Sequence, residues 1–213
     1  MIEQPNGMIE HHDRIASTST YLKEHCQGLP NYYAVTASYQ TAGRGQRGNG
    51  WESEAASNLL MSLLYIPEAE IHPSRQFMIS MAVSLATAET VDTLLTDVNA
   101  PEVSVKWPND IYIGDRKVAG ILIENTLDSR PAIARSIIGI GLNLNQLKFE
   151  SPAPNPVSVI TFTHRLIDVD TVAVMLRDNL ISHLSNLNAC DRVPLTTLYK
   201  SSLLDTSPTP RHT

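Results

Sequence analysis

Stretches of period-two alternation, stripes of period 3.6 and the breaks between them divide this chain into elements. Tyr32 to Tyr39 and Asn58 to Tyr65 read as strands, and the stretch between them is too long for a hairpin turn, which marks it as a functional loop. From Ser74, behind Pro73, the apolar positions Phe77, Met81, Leu85, Ala88, Val91 and Leu95 step by three and four. That spacing predicts a core-facing helix whose methionines are packing residues. Val103 to Trp107 predicts a short strand stopped by Pro108, which lacks an N–H. Asp110 to Ile113 and Val118 to Glu124 predict a hairpin across Gly114–Lys117, and Ser136 to Asn145 predicts one more buried strand. Strands joined by short turns imply antiparallel neighbours. A last amphipathic helix is expected from Asp170, as its cap, through Val172, Leu176, Leu180, Leu184 and Leu187. Near the start, hydroxyls at Ser17 to Thr20 precede a possible short helix, where they would cap free N–H groups. Phe149 to Pro156 is a proline-rich connection, and Ser201 to Thr213 a Ser/Thr/Pro-rich tail expected to fray. The pattern reads as one α/β (α+β) domain over residues 1–200, a mixed, largely antiparallel sheet flanked by helices, with a tail over 201–213.

Composition narrows the functions open to such a domain. A chain of 213 residues, 42% hydrophobic, buries one substantial core. Its net charge of -6 argues against general nucleic-acid binding, which needs a basic stripe to neutralise phosphates. The longest apolar runs, Asn58 to Ile66 and Ile137 to Leu144, fall short of the ~20 residues that span a bilayer, so no membrane partner is expected. No basic segment followed by an apolar core opens the chain, and a cytoplasmic location follows by default. Cys26 and Cys190 are too far apart for a C-x-x-C pair and are expected to be reduced and packed. Only His11 and His12 are neighbouring histidines, so no dedicated metal cluster is expected.

The chemistry concentrates between Thr41 and Trp51, TAGRGQRGNGW, which combines four glycines with two arginines. Glycines let backbone N–H groups approach a ligand, and guanidinium forks suit carboxylate or phosphate. Gly43, Gly45 and Gly48 satisfy G-x-G-x-x-G by spelling, yet no helical stripe follows as a dinucleotide loop requires. Gly50 stands where a kinase loop wants valine, and Asn49 where a Walker loop wants lysine. Read alone, the stretch is either an anion-holding loop or a flexible surface turn. Lys106, beside Trp107 in an apolar strand, is either met by an anion or is an edge lysine that deters aggregation. Asn109 and Asp110, after the Pro108 corner, either stabilise that turn or face the anion site, where Asp110 could hold Mg²⁺ through water.

Three motifs in order resemble the biotin protein ligases: QTAGRGQRGNGW (Gln40 to Trp51) followed by Asn58-Leu59, KWPNDIYIGDRKVAGILIE (Lys106 to Glu124), and IGIGLNLN (Ile138 to Asn145). The resemblance covers the chain to about residue 200. It implies the class II aminoacyl-tRNA synthetase-like catalytic domain shared by biotin and lipoate ligases. It also implies ATP, Mg²⁺ and biotin, with biotinyl-5′-AMP made first and then attacked by a lysine of a biotin carboxyl carrier protein. Carried over residue by residue, Lys106 and Arg44 are the catalytic cations, Lys106 at the biotin carboxylate. Ser17, Thr18, Gln40, Gly43, Gly120 and Leu122 complete the biotin pocket. Gly45, Arg47, Gly48, Trp51, Asn109, Lys117 and Asn143 take the nucleotide, with Asn143 at the adenine edge, and a homodimer through a sheet edge is compatible with the family.

The chain departs from the family pattern at several points. The usual Asp-Ser-Thr-Asn reads Ala16-Ser17-Thr18-Ser19, Ala56 stands for a glycine, and Gln46 and Asn49 stand where arginines occur, which thins the charge over an adenylate. By the same comparison neither a winged-helix segment nor a C-terminal barrel is expected, so repressor function is not. Two readings compete with ligation of biotin: a lipoate ligase or lipoyl transferase, and a catalytically weak binder of biotin or its adenylate.

Overall fold

The computed structural model describes residues 8–150, 155–189 and 192–204. Its strands and helices follow in the order β1 (Ile9–Ile15), α1 (Thr18–His25), β2 (Ala34–Gln40), β3 (Leu59–Tyr65), α2 (Phe77–Leu95), β4 (Val103–Lys106), β5 (Asp110–Ile113), β6 (Arg116–Leu127), β7 (Ile133–Leu142), α3 (Ile160–Thr163), α4 (Val169–Ser185) and α5 (Arg192–Ser201). The seven strands form one sheet in the order β1-β2-β3-β7-β6-β5-β4. Among these seven strands β1 and β2 pair in parallel, joined by α1, and the other strand pairs are antiparallel. The expected mixed, largely antiparallel sheet is therefore present.

Alternation along the central strands decides which face meets which helix. Leu59, Met61, Leu63 and Tyr65 of β3 and Ile138, Ile140 and Leu142 of β7 enter the main core with α2 and α4. Among the described residues the opposite face carries a smaller cluster at one end, where Leu22 of α1 and Cys26, its C-cap, pack on Val35, Leu64 and Ile137. Cys190 lies outside the described residues. The rest of that face stays open and becomes the floor of a cavity.

Helix α2 buries more than the stripe seen in the sequence: Ile79, Ala82, Val83, Ala86, Thr87 and Thr90 are buried as well, because it lies between the sheet and α4. The buried hydroxyls of Thr87 and Thr90 donate to the carbonyls of Val83 and Ala86, each at 2.8 Å, so neither is left unpaired. The Pro73–Leu95 stretch is long and apolar enough to cross a bilayer, but here it is a core helix, 67% buried.

Several boundaries differ from the sequence reading. A single 3₁₀ turn at Pro73–Arg75 precedes α2, and its cap is His72, whose ring accepts from Ser74 N. Helix α4 starts on Asp168 rather than Asp170, with the Asp168 carboxylate accepting from Thr171 N. Three elements were unseen in the sequence: β1, whose IEHHDRI lacks an apolar run, the single-turn α3, and α5. Part of the tail is ordered: Ser202 to Leu204 leave α5 and run beside β4, with Val105 N donating to Ser202 O and Leu204 N to Val105 O. The remainder of the tail, from 205, lies outside the described residues.

Candidate active site

Cross-strand rows build the cavity floor. Gly139 sits between Ser62 of β3 and Leu122 of β6, and Gly141 between Leu60 and Gly120, with Gly120 opposite Asp110 on β5. Three glycines in two adjacent rows strip the sheet to its backbone just where α1 stops covering it. The result is a cavity of about 830 Å³, within the ~300–1,000 Å³ usual for small-ligand sites.

One end of the cavity is made of hydroxyls delivered by the start of α1. Ser17 caps the helix, accepting from Thr20 N. Thr18 donates both its backbone N–H, at 2.7 Å, and its hydroxyl, at 3.1 Å, to Gln40 Oε1 at the end of β2. Ser62, fully buried beneath them and not itself lining the cavity, joins the hydroxyls of Thr18 and Ser19 at 2.8 and 2.9 Å. Sequence reading placed Ser17, Thr18 and Gln40 here and noted Ser19 only as a departure from the family pattern; Ser62 was missed because a serine in a strand carries no signal until its row partner, Gly139, is known.

The glycine loop folds back on itself over the floor. Gly45 N donates to Asn49 O at 2.7 Å and Trp51 N to Gly43 O at 3.0 Å, while Thr41 and Ala42 are tied to Ile15 and Ala16 at the foot of α1. Trp51 is thereby laid flat on the glycine rows. A Cβ built on Gly120 would lie 2.7 Å from its Cζ3, and one built on Gly141 would fall inside the indole. Its Nε1 is buried without a hydrogen-bond partner.

Arg44 lines the cavity, but its guanidinium forks onto Glu124 of β6 at 3.1 and 3.2 Å, and Lys23 of α1 reaches the same carboxylate at 3.1 Å. Burial alone would raise the Glu124 carboxyl; the hydrogen bonds from Arg44 and then Lys23 outweigh it and hold the group below the usual carboxylate range. Loop, helix and sheet thus meet at one buried-edge ion network.

Of the two lysines that the resemblance places at the ligand, Lys117 lines the cavity and Lys106 does not. Lys106, on the outermost paired strand, is exposed and donates to Tyr112 Oη at 3.3 Å; it does not line the cavity. Lys117 does, with its ammonium 2.8 Å from Asp110 and 5.7 Å from the Trp51 ring centre. A bulge brings Lys117 there. The β5–β6 register shifts after Ile111, so that Ala119 pairs with Ile111 but Lys117 with Tyr112. Val118 and Ala119 therefore both enter the core, and Lys117, which strict alternation from Gly120 would bury, comes up on the ligand face.

The same bulge frees the Val118 carbonyl to accept from Asn143 N at 2.9 Å. Asn143 Nδ2 donates to Val157 O at 3.2 Å, while its Oδ1, buried at the cavity wall, has no partner. That is a directed acceptor awaiting an N–H. Asn109 also borders the cavity, but its side-chain N–H is spent on Ile121 O at 2.6 Å, which ties the Pro108 turn to β6. Gly120 and Leu122 line the floor and Gly45 the roof; Gly43 and Gly48 do not line it, and the Arg47 side chain lies outside the described residues.

A buried amide pair fixes the exit from the loop. Asn58 Nδ2 donates to Gln146 Oε1 at 2.7 Å, and Asn58 Oδ1 accepts from Leu144 N at 2.9 Å, joining the start of β3 to the segment after β7. As for Mg²⁺, no group of three or more His, Cys, Asp or Glu that could hold a metal occurs among the described residues. The Asp110 carboxylate is engaged by Lys117, so these residues do not fit an ion held by the protein alone.

Comparison with known proteins agrees with this architecture. The family model described as Biotin/lipoate A/B protein ligase family matches residues 12–143. The bifunctional ligase/repressor BirA of Escherichia coli is 37% identical over 164 residues, 76% of this chain and 49% of that protein. The biotin--[acetyl-CoA-carboxylase] ligase of Mycobacterium tuberculosis is 32% identical over 126 residues, 59% of this chain and 44% of that one. The chain thus spans about half the length of these curated relatives. Among solved structures, the biotin protein ligase of Aquifex aeolicus, in complex with biotin and ATP, shares the fold with a TM-score of 0.78 at 24% identity, over 93% of this chain and 79% of that one. From its sequence and its fold together, this chain belongs to the biotin/lipoate A/B protein ligase family.

Proposed function

We propose that this chain joins biotin to ATP and passes the biotinyl group to a lysine of a biotin carboxyl carrier protein domain. In the first step a carboxylate oxygen attacks the α-phosphorus and pyrophosphate leaves with the bonding pair. In the second, the acceptor amine attacks the acyl carbon, AMP leaves and the amine gives up a proton. Two anions must approach in the first step, so a cation at their meeting point stabilises the transition state more than the separated reactants. Lys117 takes that part in place of Lys106, because it is the lysine at the cavity. Arg44, released from Glu124, supplies a second positive fork, and Asn143 Oδ1 accepts from the adenine amino group.

The observation that carries the choice of biotin is the hydroxyl end of the cavity. Thr18, Ser19, Ser62 and Gln40 form a connected polar cluster suited to a ureido ring with two N–H donors and a carbonyl. The dithiolane of lipoate offers those groups neither donor nor acceptor, so the hydrogen-bonding capacity left over from their mutual bonds would be shut from water unmet, which costs a site heavily. The names of relatives that handle biotin, and the complexes of biotin or biotinyl-5-AMP with the Leishmania major ligase, support the same reading.

The test is ATP–pyrophosphate exchange with biotin or lipoate as the acid, followed by labelling of a carrier domain. Exchange with biotin and labelling of the carrier are expected. Exchange with lipoate alone would assign the site to lipoyl chemistry, and exchange without labelling would leave only an adenylate-forming binder.

A further inference from the structure

An apolar surface begins at the cavity mouth and runs outward over the molecule. Trp107 borders the cavity yet is 66% exposed. Its ring stands 6.4 Å from that of Phe77, at the start of α2, and Phe77 meets Tyr199 of α5 edge-on at 5.6 Å. Phe77 is 37% exposed, Leu198 beside Tyr199 is 55% exposed, and Leu203, bridged to Val105 on β4, is 36% exposed. Large side chains from three elements meet solvent here, whereas single exposed apolar residues elsewhere need no explanation.

The rim of this surface is basic. Arg75, two residues before Phe77, Lys106, next to Trp107, and Lys200, next to Tyr199, are all exposed. In a chain with net charge -6, three exposed cations, each within two positions of Phe77, Trp107 or Tyr199, would steer an acidic partner that the rest of the molecule repels. Glu102 stands at the far end of β4, away from the mouth.

We propose that the surface from Trp107 across Phe77 and Leu198 to Leu203 is the docking site of the acceptor, an acidic protein domain that presents its lysine to the cavity. The proposal rests on reading the cavity as the place of biotinyl transfer. A lysine side chain reaches only a few ångströms beyond its backbone, so the acceptor must seat against the mouth, and Trp107 belongs to both mouth and patch. An exposed tryptophan among aliphatic and aromatic neighbours has the composition of a binding hot spot, with the basic rim setting approach and orientation.

The experiment separates docking from adenylation. Leu198→Glu, and independently Arg75→Glu combined with Lys200→Glu, are compared with the unaltered protein in three assays. These are biotin-dependent pyrophosphate exchange, trapping of the adenylate with hydroxylamine, and transfer to a purified biotin carboxyl carrier domain. Exchange and hydroxamate formation are expected to stay within about twofold, while the KM for the carrier domain rises tenfold or more and the charge-reversed protein loses most of its salt dependence. Calorimetric titration of the carrier domain into each protein reads docking without any chemistry. Unchanged carrier KM and affinity in both variants would overturn the proposal, as would a Leu198→Glu protein that turns from dimer to monomer in sedimentation with transfer unaltered, which would give the patch to a second copy. If the unaltered protein fails to exchange pyrophosphate, the adenylation reading falls by itself, and the titration still decides the docking site.

Discussion

The ammonium of Lys117 lies 2.8 Å from the carboxylate of Asp110, which faces Gly120 across the neighbouring strand pair. The pair puts a lysine on the ligand side of the sheet, held by a group that must give it up when a carboxylate or phosphate arrives. Lys117→Ala is expected to lower biotin-dependent pyrophosphate exchange by about 10²–10³-fold, the usual loss when one preorganised charge stabiliser is removed. Lys106→Ala should leave exchange near its original rate and weaken only the carrier step. Equal losses in the two variants would return the catalytic part to Lys106.

Gly139 is the backbone against which the hydroxyl end is built. A Cβ there would come within 2.5 Å of Ser19 Oγ, which is itself joined to Ser62. Gly139→Ala should therefore weaken biotin binding at least tenfold in a calorimetric titration while lowering stability by only about 1–3 kcal/mol, as overpacking does. Unaltered affinity would place the ureido ring elsewhere.

Much of this arrangement was legible in the sequence, and the exceptions have physical causes. The helix stripes and central strands are local patterns, and they were found with small errors at the ends, where capping by His72 and Asp168 depends on loop geometry. The glycine loop, the Ser17–Thr18 turn and Gln40 do converge, because each announces itself by residue types that are costly elsewhere. The resemblance places Lys117 at the nucleotide and the cavity does hold it, although strict alternation from Gly120 would bury that position and only the register shift at Ile111 lifts it out; Lys106, expected beside it, does not line the cavity. Strand β1 was missed since an edge strand paired on one side needs no apolar run.

The Glu124 network gives a dependence on acidity. Its folded-state value lies below the ordinary 4.5, so its contribution is complete above that pH and is lost as pH falls from about 4.5 through the lower folded value. Glu124→Gln removes this contribution. The difference in melting temperature between the two proteins should be widest near neutral pH and shrink in acid; Glu10, lowered in the same direction, is present in both and cancels. A constant difference across that range would show that Arg44 and Lys23 gain nothing from the charge. Because both cations are about half exposed, the effect should also weaken with added salt.

Asn58 satisfies Leu144 N and Gln146 Oε1 at once from a buried position. Asn58→Leu strands Leu144 N, while Gln146 Oε1 keeps the Glu54 N–H as a donor at 3.0 Å, and urea denaturation should show a loss of about 1–3 kcal/mol, more than a surface change produces. Loss of less than about 0.5 kcal/mol would mean that water takes the place of the amide.

The indole of Trp51 on the glycine rows means that the floor is already taken before any ligand comes. A flat ligand that needs this surface competes with a side chain tethered in the same molecule, so the affinity measured from outside is the intrinsic affinity scaled by the fraction of time the indole stands aside. Affinity can then be tuned in either direction from the loop alone. A change that loosens Gly43 or Asn49 from its partner tightens binding without adding a single contact to the ligand.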